Sequence, residues 1–555
     1  MRRALHFVVD TPTGPEAIGF DQLKDRYYDP GLLAKLLGYS DEPLRDVQGM
    51  NERGLHLPPE VHLTAPEDAL ATGQPVTLTL INRGDGIGAV QVLLNGREVL
   101  ADARPRGADP AADSLTLTLD LSGHPFLLPG QDNTIEVSAL DGEEGYVRSR
   151  SGSLVLRARE DADAEPPSLY ALVVGTSDYA GYDLDLRFAA KDAADLATAL
   201  EVAGGRLFGT DRTQIRLLST EPGERTPTSA EIRAAFSEIA AEATSRDVLV
   251  VYLAGHGVAD DATDDFYYLT RDALSSTLTD PALREAVALS GAELTDLILS
   301  VPTQRQVFIL DACYSGTVVA QQLAAARQID GETARIRSLD RLQDRTGMFV
   351  LAGSAADAVS YEASRYGQGL LTYSLLMGMR GAALREGVEV DVATLVGYAQ
   401  DRVPELAAGI GGIQRPQAFV PSGGSFPIGQ VLDEDQAAIP LALEKPLVLR
   451  ANLTQEGTRS RDPLGLTGLV DEALRSASAR GREAPLVFVD ADAFADAYYV
   501  GGLYDVEGDQ VTVEVEVYQG DDSGPVAEVT GTSADLSSLA AGVRDAVERL
   551  LLGIE

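Results

Sequence analysis

The chain has 555 residues, with 85 acidic against 45 basic side chains and a formal net charge of −40. That length accommodates about three or four domains, and the acidity argues against a nucleic-acid partner, because phosphate recognition needs basic surface. One cysteine rules out an intrachain disulfide framework and makes a cytoplasmic location the expectation. No apolar run reaches the ~18–20 residues of a membrane span, and Ala4-Leu-His-Phe-Val-Val-Asp10 is too short for a signal peptide's apolar core.

Residues 1–55 are mixed, and Tyr27 to Gly38 predicts one short helix ended by glycine. Residues 56–160 read as β. Ser114-Leu-Thr-Leu-Thr-Leu-Asp-Leu121 alternates strictly, as a half-buried strand does. Val76–Ile81 and Thr134–Ala139 behave similarly, and the Asn95-Gly96 pair between Val90 and Leu100 marks a hairpin turn. About six short strands at this spacing predict an immunoglobulin-like β-sandwich, which holds no catalytic cluster and reads as a spacer or docking module.

An acidic, proline-bearing linker, Asp161 to Pro167, follows. Within residues 166–430, apolar runs near 169–175, 215–218, 248–254, 306–310 and 348–352 alternate with helical patterns near 188–202, 229–243, 290–300 and 370–380. That alternation predicts a central α/β domain with a mainly parallel sheet covered by helices on both faces. Residues 440–555 predict a smaller α+β domain: a strand at 446–450, a helix near 464–480, a β-rich stretch over 497–518 and a final helix near 535–552.

The chemistry concentrates at two strand ends. Cys313 closes Gln306-Val-Phe-Ile-Leu-Asp-Ala-Cys-Tyr-Ser-Gly316, and His256 closes Asp247-Val-Leu-Val-Val-Tyr-Leu-Ala-Gly-His-Gly257, 57 positions earlier. In open α/β sheets, functional groups collect beyond the carboxyl ends of parallel strands. A free thiol titrates near 8.5 and is a weak nucleophile until a neighbouring imidazole takes its proton or stabilises the thiolate. A free cysteine is ordinarily a small buried hydrophobe, but Cys313 falls after the apolar run, in a polar turn. The other histidines (His6, His56, His62 and His124) all lie in the N-terminal third, so His256 is the only imidazole of the α/β unit. The pattern points to a cysteine endopeptidase with a Cys313–His256 dyad. One cysteine and one local histidine do not make a zinc site, and no cofactor is expected.

Gly255-His256-Gly257 and Asp311-Ala312-Cys313-Tyr314-Ser315-Gly316 resemble the histidine and cysteine motifs of the caspase–metacaspase superfamily, whose usual spacing is roughly fifty residues. Leu169–Tyr179, Leu186–Leu196 and Gly369–Gly378 resemble its supporting segments. The resemblance covers residues 166–430 and is nearest to the prokaryotic metacaspase-like proteins called orthocaspases. It implies an oxyanion site at the amides of Gly257 and Cys313, a backbone carbonyl that orients the histidine, and a substrate pocket whose acids, Asp311 and Asp192, read arginine or lysine. The pattern departs from the family at Ala189, Ala254 and Tyr314, which stand where metacaspases carry cysteine, serine and histidine. Residues 1–55 resemble the segment that joins a sensor module to the caspase-like half of longer relatives, and the C-terminal domain resembles the small TolB N-terminal type.

Two further features have competing readings. Asp260-Asp-Ala-Thr-Asp-Asp265 reads as a solvated acidic loop near the cleft, with a calcium site as the alternative. Arg327, Arg335, Arg337, Arg341 and Arg345 make the connection after Cys313 either a self-cleavage segment or a basic amphipathic helix. The expected partners are protein or peptide substrates with basic residues, and a protein docked on the β-sandwich or C-terminal domain. The rival functions are a caspase-like scaffold with little turnover and a protease of non-basic specificity.

Overall fold

The structure, a computed structural model, describes residues 6–553 apart from 12–13, 39–42, 48, 50–55, 143–144, 163–164, 261–264, 277, 279, 315–331, 354–364, 409–413, 422, 443, 458–460, 479, 481–483, 492–496 and 521–523. The side chains of Asp260, Cys313, Tyr314 and Glu332 also lie outside that description.

The apolar runs of the central unit form an eight-stranded sheet. Its strands are β1 (Leu169–Gly175), β2 (Thr213–Ser219), β3 (Val248–Asp260), β4 (Asp265–Leu269), β5 (Ala288–Ser290), β6 (Arg305–Tyr314), β7 (Phe349–Ala352) and β8 (Gln417–Phe419). The order β2-β1-β3-β6-β7 is parallel throughout. β8 runs antiparallel on β7, and β3 bends away past Ala254 to pair antiparallel with β4, which carries β5. The sheet is therefore mixed. The sequence pattern missed β4, β5 and β8: β5 and β8 have three residues each, and β4 begins inside the acidic run.

Strand pleating explains why the runs are apolar without alternation. Val248, Val250 and Tyr252 pack on one face with the helices α1 (Ala189–Leu207), α5 (Leu370–Met377) and α6 (Val392–Ala408). Leu249, Val251 and Leu253 pack on the other, against α2 (Ser229–Glu242), α3 (Gly291–Ser300) and α4 (Glu332–Thr346). A strand covered on both faces buries every side chain. The helix starts are set locally: Thr228 Oγ1 accepts from Glu231 N–H at 3.2 Å, and Ser290 Oγ from Glu293 N–H at 3.0 Å.

In the N-terminal region, a three-stranded sheet (Glu60–Thr64, Val76–Ile81, Ser114–Leu119) and a four-stranded sheet (Arg97–Leu100, Ile87–Leu94, Asp132–Asp141, Gly152–Arg157) enclose one core containing Leu78, Leu80, Val92 and Val137. The Asn-Gly turn forms with both residues at positive φ, 55° and 80°. It delivers Arg97 to the central unit: the guanidinium lies 4.0 Å over Phe126 of the N-terminal region and donates to the carbonyls of Ile298 (3.1 Å), Val301 (2.9 Å) and Thr303 in the central unit. Burial pushes its pKa down to about 9. The N-terminal β-region is thus keyed onto the C-terminal end of α3.

Upstream, the hairpin His6–Thr11/Gly14–Gly19 precedes helices Lys24–Tyr27 and Leu32–Leu36, the latter followed by Gly38 at φ 75°. Beyond the central unit, a five-stranded sheet in the order Val487–Val489, Leu447–Gln455, Tyr498–Glu507, Gln510–Tyr518, Val526–Thr532 packs on the helices Leu466–Ser478 and Leu536–Leu552. Among the described residues, no helix is long and apolar enough to cross a membrane.

Candidate active site

β3 and β6 run parallel in a register that pairs His256 with Cys313 and Gly257 with Tyr314. Two separate apolar runs therefore end side by side, and the two reactive residue types share one rung of the sheet.

His256 is buried, and neutral groups hold its orientation. Its Nε2 lies 2.7 Å from the carbonyl oxygen of Leu184, to which it donates, because a carbonyl only accepts. In the neutral ring this leaves Nδ1 as the basic nitrogen. The Leu184 carbonyl is delivered by the loop after β1, a tight turn of Tyr182–Leu184. That loop is closed by Leu186 N–H to Ser177 O at 2.8 Å and tied to α1 by Ala190 N–H to Ser177 Oγ at 2.9 Å. From behind, the phenol oxygen of Tyr179 accepts the backbone N–H of His256 at 2.8 Å, and the two rings lie 5.2 Å apart. A Cβ on Gly255 would meet that phenol oxygen at 2.7 Å, so glycine before His256 is required by this brace. Tyr268 donates to Ala254 O at 2.9 Å and fixes the preceding turn of chain.

The second feature is an acid pair. α1 packs tightly on the end of β1: a Cβ on Gly175 would come within 2.4 Å of Ala189 O and 2.5 Å of Ala193 Cβ. The small residues Gly175, Ala189 and Ala193 thus bring Asp192 into the interior, where it is 3% exposed. Asp311, on β6 two residues before Cys313, accepts from Thr372 Oγ1 at 2.8 Å. Asp192 Oδ2 accepts from Gly369 N–H at 2.8 Å, while its Oδ1 has no hydrogen-bond partner among the described residues. The two carboxylates face the same point, since a Cβ on Gly369 would lie 2.9 Å from Asp192 Oδ2 and 3.2 Å from Asp311 Oδ2. Burial first, then the neighbouring Asp311 charge, holds the Asp192 carboxyl well above the usual carboxylate range. Burial also raises Asp311, opposed by hydrogen bonds from Thr372 and Tyr252. Tyr252, whose hydroxyl meets Thr372 Oγ1 at 2.7 Å, completes the group.

Residues that the sequence reading singled out fare differently. Asp192, Asp311, His256 and the backbone of Cys313 come together at the carboxyl edge of the sheet. Of the acidic run, Asp261 and Asp264 lie outside the described residues. Asp265 is no solvated carboxylate: it is buried, accepts from Ser338 Oγ and Phe266 N–H, and meets Ala292 N–H at 3.1 Å, in the first turn of α3. Arg327 lies outside the described residues, whereas Arg335, Arg337, Arg341 and Arg345 belong to α4. Arg335 is buried and donates to Gly353 O, and Arg345 bonds Glu98 at 2.8 Å and Asp296 at 3.1 Å. For these four the helix reading holds. Tyr179, the Leu184 carbonyl, Thr372 and Gly369 were not identified from the sequence as site residues. Tyr179, Thr372 and Gly369 lie in segments that the resemblance had marked, and it had implied an orienting carbonyl, but nothing in the sequence singled out these residues or Leu184 within the chain.

Residues 168–422 match the family model of the caspase domain. This part of the chain belongs to the caspase–metacaspase superfamily. The matched family is one of cysteine peptidases, and a protease domain implies protein substrates. No curated protein matches the chain. Among solved structures, the chain is similar to protein GSU0716 from Geobacter sulfurreducens, with 18% identity over 46% of this chain and 95% of that one and a TM-score of 0.31. It is also similar to the PelC dodecamer from Paraburkholderia phytofirmans, with 17% identity over 19% of this chain and 87% of that one and a TM-score of 0.14. Neither likeness is close enough to bear on function.

Proposed function

We propose that the chain is a cysteine endopeptidase of the orthocaspase type that cleaves after arginine or lysine. The observation that carries this reading is the acid pair beside the His256–Cys313 rung: two carboxylates converge where one needs a cation to ionise comfortably. In the reaction, the Cys313 sulfur bonds to the scissile carbonyl carbon, and the carbonyl oxygen takes the negative charge. The amides of Gly257 and Cys313 are the proposed donors to that oxyanion. Nδ1 of His256 holds the thiol proton and passes it to the leaving amine as the carbon–nitrogen bond breaks. Water then hydrolyses the thioester. Asp311 and Asp192 bind the substrate cation, a guanidinium in bidentate geometry or an ammonium as a point charge.

The remaining parts of the reading are a cytoplasmic location, no required cofactor, and a division into residues 1–55, an immunoglobulin-like 56–160, a catalytic 166–430 and a C-terminal 440–555. The paired N-terminal sheets serve as a spacer or docking module. Self-cleavage after Cys313 is expected at Arg327 rather than Arg335, because Arg335 is buried on a helix. N-terminal sequencing of incubated wild-type protein, with Cys313→Ala as control, checks this.

A fluorogenic panel that varies only the first-site residue, run in chelator and in millimolar calcium, tests the function. Turnover of arginine and lysine substrates, lost in Cys313→Ala, is the expected result. Preference for aspartate or leucine removes the basic specificity. Absence of turnover on every substrate in both conditions favours the scaffold reading.

A further inference from the structure

The chain that leaves the caspase domain does not depart freely. Ile439 is buried in the same core as α1 and α5. After it, Ala442 and Lys445 pass directly against the segment that opens α5. Lys445 N–H donates to Arg365 O at 2.7 Å, and the Arg365 guanidinium lies 3.4 Å from the Glu444 carboxylate. Gly367, at φ 59°, sits where a Cβ would come within 3.3 Å of Ala442 Cβ.

Gln368 is the centre of this contact. It is 0% exposed, and both ends of its amide are engaged. Its Oε1 accepts from Ala442 N–H at 3.2 Å, and its Nε2 donates to Asp195 Oδ2 at 2.6 Å. The amide orientation is fixed chemically, since a carboxylate accepts and a backbone N–H donates. Asp195 lies on α1, three residues after Asp192, on the adjoining part of the same helix. Gln368 directly precedes Gly369, whose N–H holds Asp192. One buried side chain thereby ties together the helix bearing one pocket acid, the backbone donor to that acid, and the tether to the C-terminal domain.

We infer that Gln368 is a positioning residue for the substrate pocket and that the tether at Ala442 acts through it on cation binding. This rests on the reading of Asp192 and Asp311 as the pocket acids. Gln368 touches neither the substrate nor the reacting atoms. It sets the distance between Gly369 N–H and Asp192, and so how the acid pair meets a guanidinium. A displaced tether then changes affinity for the substrate cation more than the chemistry at Cys313.

The test uses the full chain. Gln368→Met keeps the length of the side chain and removes both hydrogen bonds. It is expected to raise KM for arginine substrates about tenfold, the factor that about 1.4 kcal/mol represents, at nearly unchanged kcat and with unchanged alkylation of Cys313 by iodoacetamide. Ala442→Pro removes the tether's N–H, while also fixing φ there and restricting Leu441, and is expected to raise KM about threefold. It decides the matter if Gln368→Met does not fold. Because Gln368 acts through Asp192, its effect in an Asp192→Asn background is expected to shrink rather than add. A purely packing role predicts a lower thermal midpoint and fewer active molecules with KM unmoved. That result, or full additivity with Asp192→Asn, overturns the inference. Wild-type turnover of arginine substrates and its weakening in Asp192→Asn are the controls. If they fail, the pocket reading falls and this inference with it. If they hold while Gln368→Met and Ala442→Pro keep wild-type KM, only this inference falls.

Discussion

The histidine end of β3 and the acid pocket beside it share one edge of one sheet, yet they are built on opposite electrostatic terms. Around His256 the identified contacts are neutral: a phenol oxygen for its backbone N–H and a carbonyl for its ring. They fix a tautomer and a direction without any charge that would have to be compensated. Around Asp192 and Asp311, two like-charged groups face one another with burial raising both. Such a pair titrates as a unit and resists losing its second proton until a cation enters. The imidazole is already oriented by its neutral partners. On the proposed reading, the acid pair is completed by the substrate's cation.

The difference predicts a graded set of effects. The largest belongs to the neutral end and the nucleophile: Cys313→Ala and His256→Ala are each expected to lower turnover by at least about a thousandfold, read with the purified variants on arginine substrates and with circular dichroism to confirm the fold. Next comes Asp311→Asn, which keeps the shape and removes the charge. Losing one partner of a buried ion pair costs on the order of 3–5 kcal/mol, so kcat/KM for arginine substrates should fall by about two to four decades. Alkylation of Cys313 by a reagent lacking a cation should continue at the wild-type rate.

Tyr179→Phe probes the other side of the comparison. It deletes the acceptor of the His256 N–H, a bond worth about 1 kcal/mol. The expected result is about a fivefold loss of kcat with KM unchanged.

Asp192→Asn carries the smallest but most discriminating effect, because activity and stability should move oppositely. The folded-state pKa of Asp192 is raised, so between the ordinary carboxylate value and the folded value the native state binds more protons than the unfolded state. Stability contributed by the protonated form is present below the unfolded pKa, about 3.9, and is lost as pH rises through the folded one. The asparagine variant has no such loss. Its thermal midpoint should exceed that of the substrate-free wild type at neutral pH by about 2–4 °C, the shift that about 1 kcal/mol gives a domain of this size. The difference should vanish in acid, while arginine turnover is weakened. Equal midpoints at every pH would show that the pocket is not electrostatically stressed.

The central unit was readable because its strands are buried on both faces. A strand covered twice must be apolar at every position, and the continuous runs over 248–254 and 306–310 meet that demand. They begin β3 and β6 within one residue of the expected starts, and the strands run on to Asp260 and Tyr314, past the ends of the apolar runs. The Asn95-Gly96 turn was readable because positive φ at two successive positions favours that pair. The strand-end placement of His256 and Cys313 was readable because each closely follows its apolar run, and the two meet on one rung. The motif resemblance supplied Asp192 and Asp311, though nothing in a helical Lys-Asp pair announces burial.

The tertiary structure decided the rest, because contacts distant in sequence leave no local trace. The carbonyl that orients His256 comes from 72 positions away, and every residue has a carbonyl. Thr372 meets Asp311 across 61 positions and Gly369 meets Asp192 across 177. Arg97 reads in the sequence as an ordinary polar residue after a turn, yet 204 positions separate it from Val301, whose carbonyl it bonds in the interior. Sequence alone determined which groups could do chemistry and on which strands they ride. Only folding could decide which neutral partner steadies the imidazole and which buried acid pair lies beside it, since those choices depend on backbone groups that are alike at every position until the chain closes around them.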